Sequence, residues 1–212
     1  MTIRARVLAL PLALGVAGAA MAQQPAPQPQ ILDCAEFSKK TDEAALVKRF
    51  GRENVVNAKL DGAEGETTPG TVVYPKDPSR RLEVTWWDTS RRRGLSGITV
   101  RGKSEWVVRT PGKARETVGL RTSLAELEEA NERPFQISGF GWDYGGYATS
   151  WKGGKLDHMA GGCSLSIRFD PDARAPEKAL AKVSGDKDVG SSEPALRAAK
   201  PFISSVAVGW PE

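Results

Sequence analysis

The sequence predicts an α+β fold made of two tandem units, whose antiparallel hairpins form a mostly antiparallel sheet with helices on one face. Two helix-start signals, at Thr41 and at Ser123, are each followed by alternating apolar and polar segments typical of strands. No long helical crossover separates successive strands, which disfavours parallel pairing. A shift of the chain by 81 positions places Thr41 on Thr122 and Leu46 on Leu127, which indicates an internal duplication.

The segment before the first unit has the pattern of an export signal. Arg4 and Arg6 precede a charge-free apolar stretch that closes on Ala20-Met21-Ala22, a small-x-small cleavage pattern. We therefore expect a signal peptide at 1–22 and a flexible Gln- and Pro-rich linker at 23–30. The mature protein is then expected to be periplasmic or secreted, with no transmembrane segment after signal removal.

The first unit is predicted to span 31–118 and to open with a helix. Thr41 is a residue type that caps helices, and Gly51 is a residue type that ends them. Between them, Leu46, Val47 and Phe50 share one face. The alternation that follows predicts strands at Thr71–Tyr74, Arg81–Trp87, Ile98–Val100 and Glu105–Arg109.

The second unit is predicted to span 119–212. Ser123 and Glu126 have the spacing of a capping box, and Asn131 is expected to end this helix in the left-handed conformation. A short helix is expected around Glu177–Val183. Strands are predicted at Phe135–Gly139, Tyr147–Trp151, Cys163–Phe169 and, as the last strand, Ile203–Trp210.

Both cysteines of the sequence, Cys34 and Cys163, lie in the expected mature chain. Two thiols in an exported protein are most simply explained by one disulfide bond, which would join positions 129 residues apart. The alternative is a pair of buried free thiols.

The segment Ser138–Tyr147 interleaves glycines with aromatic residues, and two interpretations are open. The aromatic rings form a stacking surface for a sugar or a peptide, or the segment is a bulged strand whose rings pack inward. Alternation favours packing for Trp142. Tyr147 and Trp151 are then expected to be the exposed pair and the candidate binding residues.

Arginines flank the hairpin strand segment Leu82–Asp88. Arg80 and Arg81 precede it and Arg91, Arg92 and Arg93 follow it, so their guanidinium groups are candidates for a patch that binds an anionic partner. The alternative is a set of solvated charges that protect a sheet edge. Of these residues, we single out Arg91, Arg92 and Arg93 as candidate binding residues.

The sequence offers little for catalysis. His158 is the single histidine, there is no Gly-x-Ser-x-Gly nucleophile motif, and no phosphate-binding glycine loop follows a strand. We therefore expect no enzyme activity, no metal site and no cofactor. Loss of Arg4 and Arg6 lowers the formal net charge from +4 to +2, which does not favour a nucleic-acid partner.

The helix-and-strand pattern carries a resemblance to known modules. Thr41…Leu46-Val47…Phe50-Gly51 and Thr122-Ser123-Leu124…Leu127, each before hairpin strands, resemble the modules of β-lactamase inhibitor proteins, which are fused in tandem, and of a small lipoprotein of outer-membrane assembly. This resemblance covers most of 33–170. The stretches 119–127 and 139–146 also look like a group of exported bacterial proteins of unknown role. The resemblance implies a fold and a compartment, and no inhibitor contact residue carries over.

These observations favour a periplasmic binding or inhibitor-type module without catalytic activity, which contacts an unknown protein or a component of the cell envelope. One alternative is a periplasmic hydrolase that uses carboxylates, with Asp143 and Asp157 beside glycine-rich turns as candidates. A second alternative is a structural envelope protein.

Overall fold

The computed structural model describes residues 30–62 and 65–212. The predicted signal peptide at 1–22 and residues 23–29 of the predicted linker lie outside this part of the chain. The described residues form four α-helices, which are α1 (Glu43–Phe50), α2 (Leu124–Asn131), α3 (Glu177–Val183) and α4 (Pro194–Ala198). No helix in the described ranges has the length and apolar character needed to cross a membrane.

Most residues of the sheets lie in one six-stranded antiparallel sheet. Its strands are β2 (Val55–Asp61), β3 (Thr67–Val73), β4 (Leu82–Asp88), β5 (Arg93–Arg101), β10 (Ser164–Asp170) and β12 (Phe202–Gly209). They are ordered β10-β12-β5-β4-β3-β2, with every neighbouring pair antiparallel. The predicted α+β fold with a mostly antiparallel sheet is therefore confirmed.

Two small sheets complete the fold. One contains β1 (Ile31–Leu32), β6 (Val107–Arg109) and β7 (Thr117–Gly119), and the other contains β8 (Gln136–Ser138), β9 (Ala148–Ser150) and β11 (Asp188–Gly190). The pair β1 and β6 is parallel. Strands from both predicted units join the six-stranded sheet, and position 118 falls within β7. The internal duplication itself stays a prediction.

One hydrophobic core forms between the inner face of the six-stranded sheet and the helices. Alternation along the strands points Val84, Ile98 and Val206 inward, where all three are buried. Leu46 of α1 and Leu127 of α2 belong to the same buried cluster, so these helices cover that face. The opposite face of the sheet, called the outer face below, is left to form a site.

The ends of α1 and α2 show where local signals decide structure. The capping box of α2 is formed as predicted, because Ser123 Oγ accepts from Glu126 N–H while the Glu126 carboxylate accepts from Ser123 N–H at 2.8 Å. The cap of α1 is Asp42 rather than Thr41, since the Asp42 carboxylate accepts a hydrogen bond from Ala45 N–H at 2.9 Å.

Asn131 does not end α2 in the left-handed conformation; the prediction was wrong by one residue. Glu132 adopts that conformation, with φ 57°. Asn131 is instead fully buried, and its side-chain amide donates to Trp151 O at 2.9 Å and accepts from Leu156 N–H at 3.2 Å. The Asn131 side chain thus serves as hydrogen-bond partner for buried backbone groups of Trp151 and Leu156, because buried backbone groups need partners.

The predicted disulfide between Cys34 and Cys163 is confirmed. The two Cα atoms lie 6.1 Å apart and both side chains are buried. The bond attaches the short helical turn Cys34–Glu36 to the residues just before β10. It therefore fixes the start of the described domain against a strand of the six-stranded sheet.

The strands β2 and β3 form an arm that bends over the outer face. Thr71 pairs with Val84 on the inner face, so Val72 points outward, yet Val72 is buried. Leu60 is also buried, and it packs at Gly70, where a Cβ atom would clash with it. The end of β2 at Asp61 thus lies above the outer face instead of continuing in the plane of the sheet.

Candidate functional site

Two adjoining cavities lie at one end of the six-stranded sheet. We call the larger one, of about 830 Å³, the end groove; it is lined by Asp77, Pro78, Ser79, Gly102, Lys103, Ser104, Glu105, Leu120, Arg121, Phe202, Ile203 and Ser204. We call the smaller one, of about 330 Å³, the arginine–tyrosine cleft; it is lined by Asp61, Gly62, Arg101, Asp143, Tyr144, Tyr147, Arg168, Ser204 and Ser205. Ser204 lines both cavities, so they adjoin at this residue.

Local turns build the end groove. Gly102 has φ +70°, which lets the chain turn sharply after β5 and present Lys103 and Ser104. A hydrogen bond from Glu105 N–H to Ser79 O, at 2.7 Å, holds the loop after β5 against the turn before β4. These contacts fix the two walls of the groove.

The end groove combines an exposed aromatic ring with polar groups. Phe202, at the start of β12, is 51% exposed, which is unusual for a phenylalanine in a folded domain. Ser104 Oγ is buried and has no hydrogen-bond partner among the described residues.

The charges of the end groove have both signs. The Ser79 hydroxyl donates to the Asp77 carboxylate at 2.7 Å, and this hydrogen bond lowers the pKa of Asp77. Glu105 and Arg121 form an ion pair at 3.0 Å. The groove thus offers hydrogen-bond donors and acceptors without a strong excess of one charge.

The floor of the cleft is part of the outer face. Arg101, Ser205 and Arg168 are neighbours across β5, β12 and β10. Arg101 Nε lies 2.9 Å from the Glu83 carboxylate, which is also bound by Arg81 at 3.1 Å. One buried carboxylate therefore serves two guanidinium groups, and the floor keeps positive charge.

Arg168 is held by the glycine-rich aromatic segment. Its guanidinium carbon lies 5.2 Å from the centre of the Tyr147 ring, and its Nε donates to Gly145 O at 3.2 Å. Gly146, with φ +79°, lets the backbone approach β10 so closely that any Cβ atom there would clash with Phe169 O. Tyr147 lines the cleft and is partly exposed, and its role as a binding residue stays a prediction.

The expected exposure of the other aromatic residues was wrong. Trp151 is only 7% exposed, since its ring packs against Phe135 with centroids 5.2 Å apart, so it is a core residue. Trp142 is 39% exposed and Tyr144 is 54% exposed, and these two rings meet edge to face. The segment forms a loop at this point, and only Phe140 follows the inward pattern of a strand.

The predicted arginine patch is not formed, because its two parts lie at opposite ends of β4. Arg80 stacks on the Tyr74 ring at 3.7 Å. Arg92 pairs with Glu43 of α1, and Arg93 forms a β-bridge with Asp42. These contacts hold Arg92 and Arg93 to α1, which gives both arginines a structural role at this turn.

Arg91 is exposed at the β4–β5 turn, and its side chain is more exposed than that of Arg92. It lies 3.8 Å from the carboxylate of Asp88. The backbone N–H of Arg91 and the Ser90 hydroxyl both donate to Asp88, and these bonds lower its pKa. The ionised carboxylate offsets the charge of Arg91, which weakens any field at this turn.

The two carboxylates considered for hydrolysis lie apart from each other in the fold. Asp143 lines the cleft, whereas Asp157 accepts a hydrogen bond from Gly153 N–H at 2.6 Å in the turn after Trp151. The carboxylate that shares the cleft with Asp143 is Asp61. Within residues 30–62 and 65–212, no group of three His, Cys, Asp or Glu side chains is placed to hold a metal ion.

Several residues of the site were missed by sequence reasoning. On the outward face of β10, Arg168 follows two serines. This change of residue type was a signal in the sequence that could have marked Arg168 as a candidate site residue. Arg101, Phe202 and Asp61 gave no such signal, because only the pairing of distant strands brings them together.

Comparison with known proteins gives no match: no family model, no curated protein and no solved structure matches this chain. The function is therefore argued from the geometry of the site.

Proposed function

We propose that the protein is an exported binding module without catalytic activity, which holds a polymer of the cell envelope in the end groove. The observation that carries this proposal is the exposed Phe202 ring inside a cavity of about 830 Å³ that combines apolar surface with the polar side chains of seven of its twelve lining residues. An aromatic ring surrounded by hydrogen-bonding groups is an arrangement suited to a sugar, which presents C–H faces and hydroxyls together.

The composition of the groove favours a polymer over a folded protein partner. The centre of a protein interface is rich in apolar and aromatic side chains and poor in charges. In the end groove, Phe202 and Leu120 are accompanied by Lys103, Glu105 and Arg121.

Co-sedimentation of the purified protein with isolated peptidoglycan sacculi tests the proposal. Phe202→Ala is expected to lower the bound fraction about tenfold, because truncation of a central aromatic contact costs 1 kcal/mol or more. Trp87→Ala is the matched control, since Trp87 is similarly exposed but lies outside the lining of the groove. This control should bind like the wild type.

Other results would decide against the proposal. Equal binding of the Phe202 and Trp87 variants would move the site away from the groove. Release of soluble fragments from the sacculi would establish a hydrolase, and a wild-type protein that stays in solution would favour a protein partner or a structural role.

A further inference from the structure

We propose that the arginine–tyrosine cleft is a subsite for a single sugar ring that carries a carboxylate. This inference rests on the proposed function, because the cleft adjoins the end groove at Ser204. The two cavities would then bind successive parts of one polymer.

Arg168 provides the first anchor for a carboxylate. Its guanidinium is oriented by the Tyr147 ring and by Gly145 O, and it forms no ion pair within the described residues. These contacts use the face of the guanidinium and its Nε. The terminal nitrogens are left to donate, and their planar geometry matches the two oxygens of a carboxylate.

Arg101 and Ser205 extend this anchor on the same floor. Arg101 shares Glu83 with Arg81, so the local charge stays positive beneath the cleft. Ser205 Oγ makes no hydrogen bond in the part of the chain that the structure describes, and it adds a donor between the two arginines. An anion on this floor therefore meets two cations and a hydroxyl.

The rim limits the charge of the ligand. Asp61 and Asp143 are exposed on opposite sides of the cleft, on the arm and on the aromatic segment respectively. Their carboxylates accept hydrogen bonds from sugar hydroxyls but repel a second negative charge. A phosphate dianion is disfavoured for this reason, whereas a single carboxylate with neutral hydroxyls satisfies both the floor and the rim.

The size and the wall of the cleft fit one ring. Its volume of about 330 Å³ lies at the lower end of small-molecule pockets, which span about 300–1,000 Å³. The Tyr144 ring, 54% exposed and supported edge to face by Trp142, offers a stacking surface beside the two arginines.

Calorimetric titration with two matched pairs of sugars tests the inference. N-acetylmuramic acid is compared with N-acetylglucosamine, and galacturonic acid with galactose, because each acid carries a carboxylate that its neutral partner lacks. We expect at least one acid to bind about tenfold to a hundredfold tighter than its neutral partner, as a charge-assisted hydrogen bond predicts. The pair that shows the difference identifies the source, a lactyl ether or a uronic acid.

Variants assign the effect to the cleft. Arg168→Gln is expected to lower the affinity for the acid to that for the neutral sugar, and Tyr144→Ala to weaken both. Ser205→Ala, which removes no hydrogen bond seen within the described chain, keeps the test valid if the Arg168 variant does not fold, and it should weaken the acid selectively. Trp87→Ala, an exposed residue outside the lining of both cavities, should bind the single sugars like the wild type.

Equal affinity for acid and neutral sugars, or no binding of any of the four, overturns the inference. If the wild type still sediments with sacculi in that case, the proposed function stands without this subsite. If it does not sediment either, both proposals fail.

Discussion

Replacement of Asn131 by alanine is expected to lower the free energy of unfolding by about 3 kcal/mol. Asn131 is fully buried and bonds Trp151 O at 2.9 Å, Arg133 O at 3.1 Å and Leu156 N–H at 3.2 Å. Arg133 is exposed, so water replaces that bond. Trp151 O keeps a hydrogen bond from Gly154 N–H, so the loss of its bond to Asn131 costs about 1 kcal/mol. The buried Leu156 N–H has no other partner among the described residues and costs about 1–3 kcal/mol when orphaned.

Urea denaturation followed by far-UV circular dichroism measures this loss. Glu132→Gly is the neighbouring control, because Glu132 has φ 57° and glycine adopts this conformation freely. The glycine variant relieves the strain of the left-handed conformation, but glycine loses more backbone entropy on folding. The net change should lie between zero and a gain in stability of about 0.5 kcal/mol. An Asn131→Ala protein within about 1 kcal/mol of the wild type would refute the role of the buried amide.

Three further predictions concern stability, all measured by urea unfolding. Joint replacement of Cys34 and Cys163 by alanine should cost about 5 kcal/mol from the entropy of a loop of this length, and an unchanged midpoint would contradict it. Ser123→Ala should cost about 1 kcal/mol at neutral pH. The Ser123 N–H donates a hydrogen bond to the Glu126 carboxylate and lowers its pKa. The stabilising effect of this carboxylate is therefore fully present above the unfolded pKa of about 4.3. It should be lost as the pH falls through the lower pKa of the folded state. Trp151→Ala should cost about 3–5 kcal/mol, and a small change would show that its ring is not part of the core.

Features set by neighbouring residues could be predicted from the sequence. The capping box at Ser123 needs only two side chains three positions apart, and the helix starts there. Alternation predicted strands at Arg81–Trp87 and Ile203–Trp210, and the sheet has β4 at Leu82–Asp88 and β12 at Phe202–Gly209. The agreement arises because a buried inner face imposes a period of two.

Features set by bending and long-range pairing could not be predicted in this way. Val55 is buried on the inner face of the sheet and Leu60 on the outer face, so β2 shows no regular alternation and was missed. The cleft has the same origin. Arg101, Asp61 and Arg168 belong to three strands that meet only through the bend of the arm and the pairing of β12.

The position of β12 ties the assembly of the site to the order in which the chain emerges during synthesis. β12 is the last strand in chain order, yet it lies between β5 and β10, which have no pairing with each other in the sheet order. A chain interrupted before Phe202 would leave these two strands apart and would lack Phe202, Ser204 and Ser205. Closure of the sheet and completion of both cavities are therefore a single late event, and shorter nascent chains lack part of the lining of each cavity.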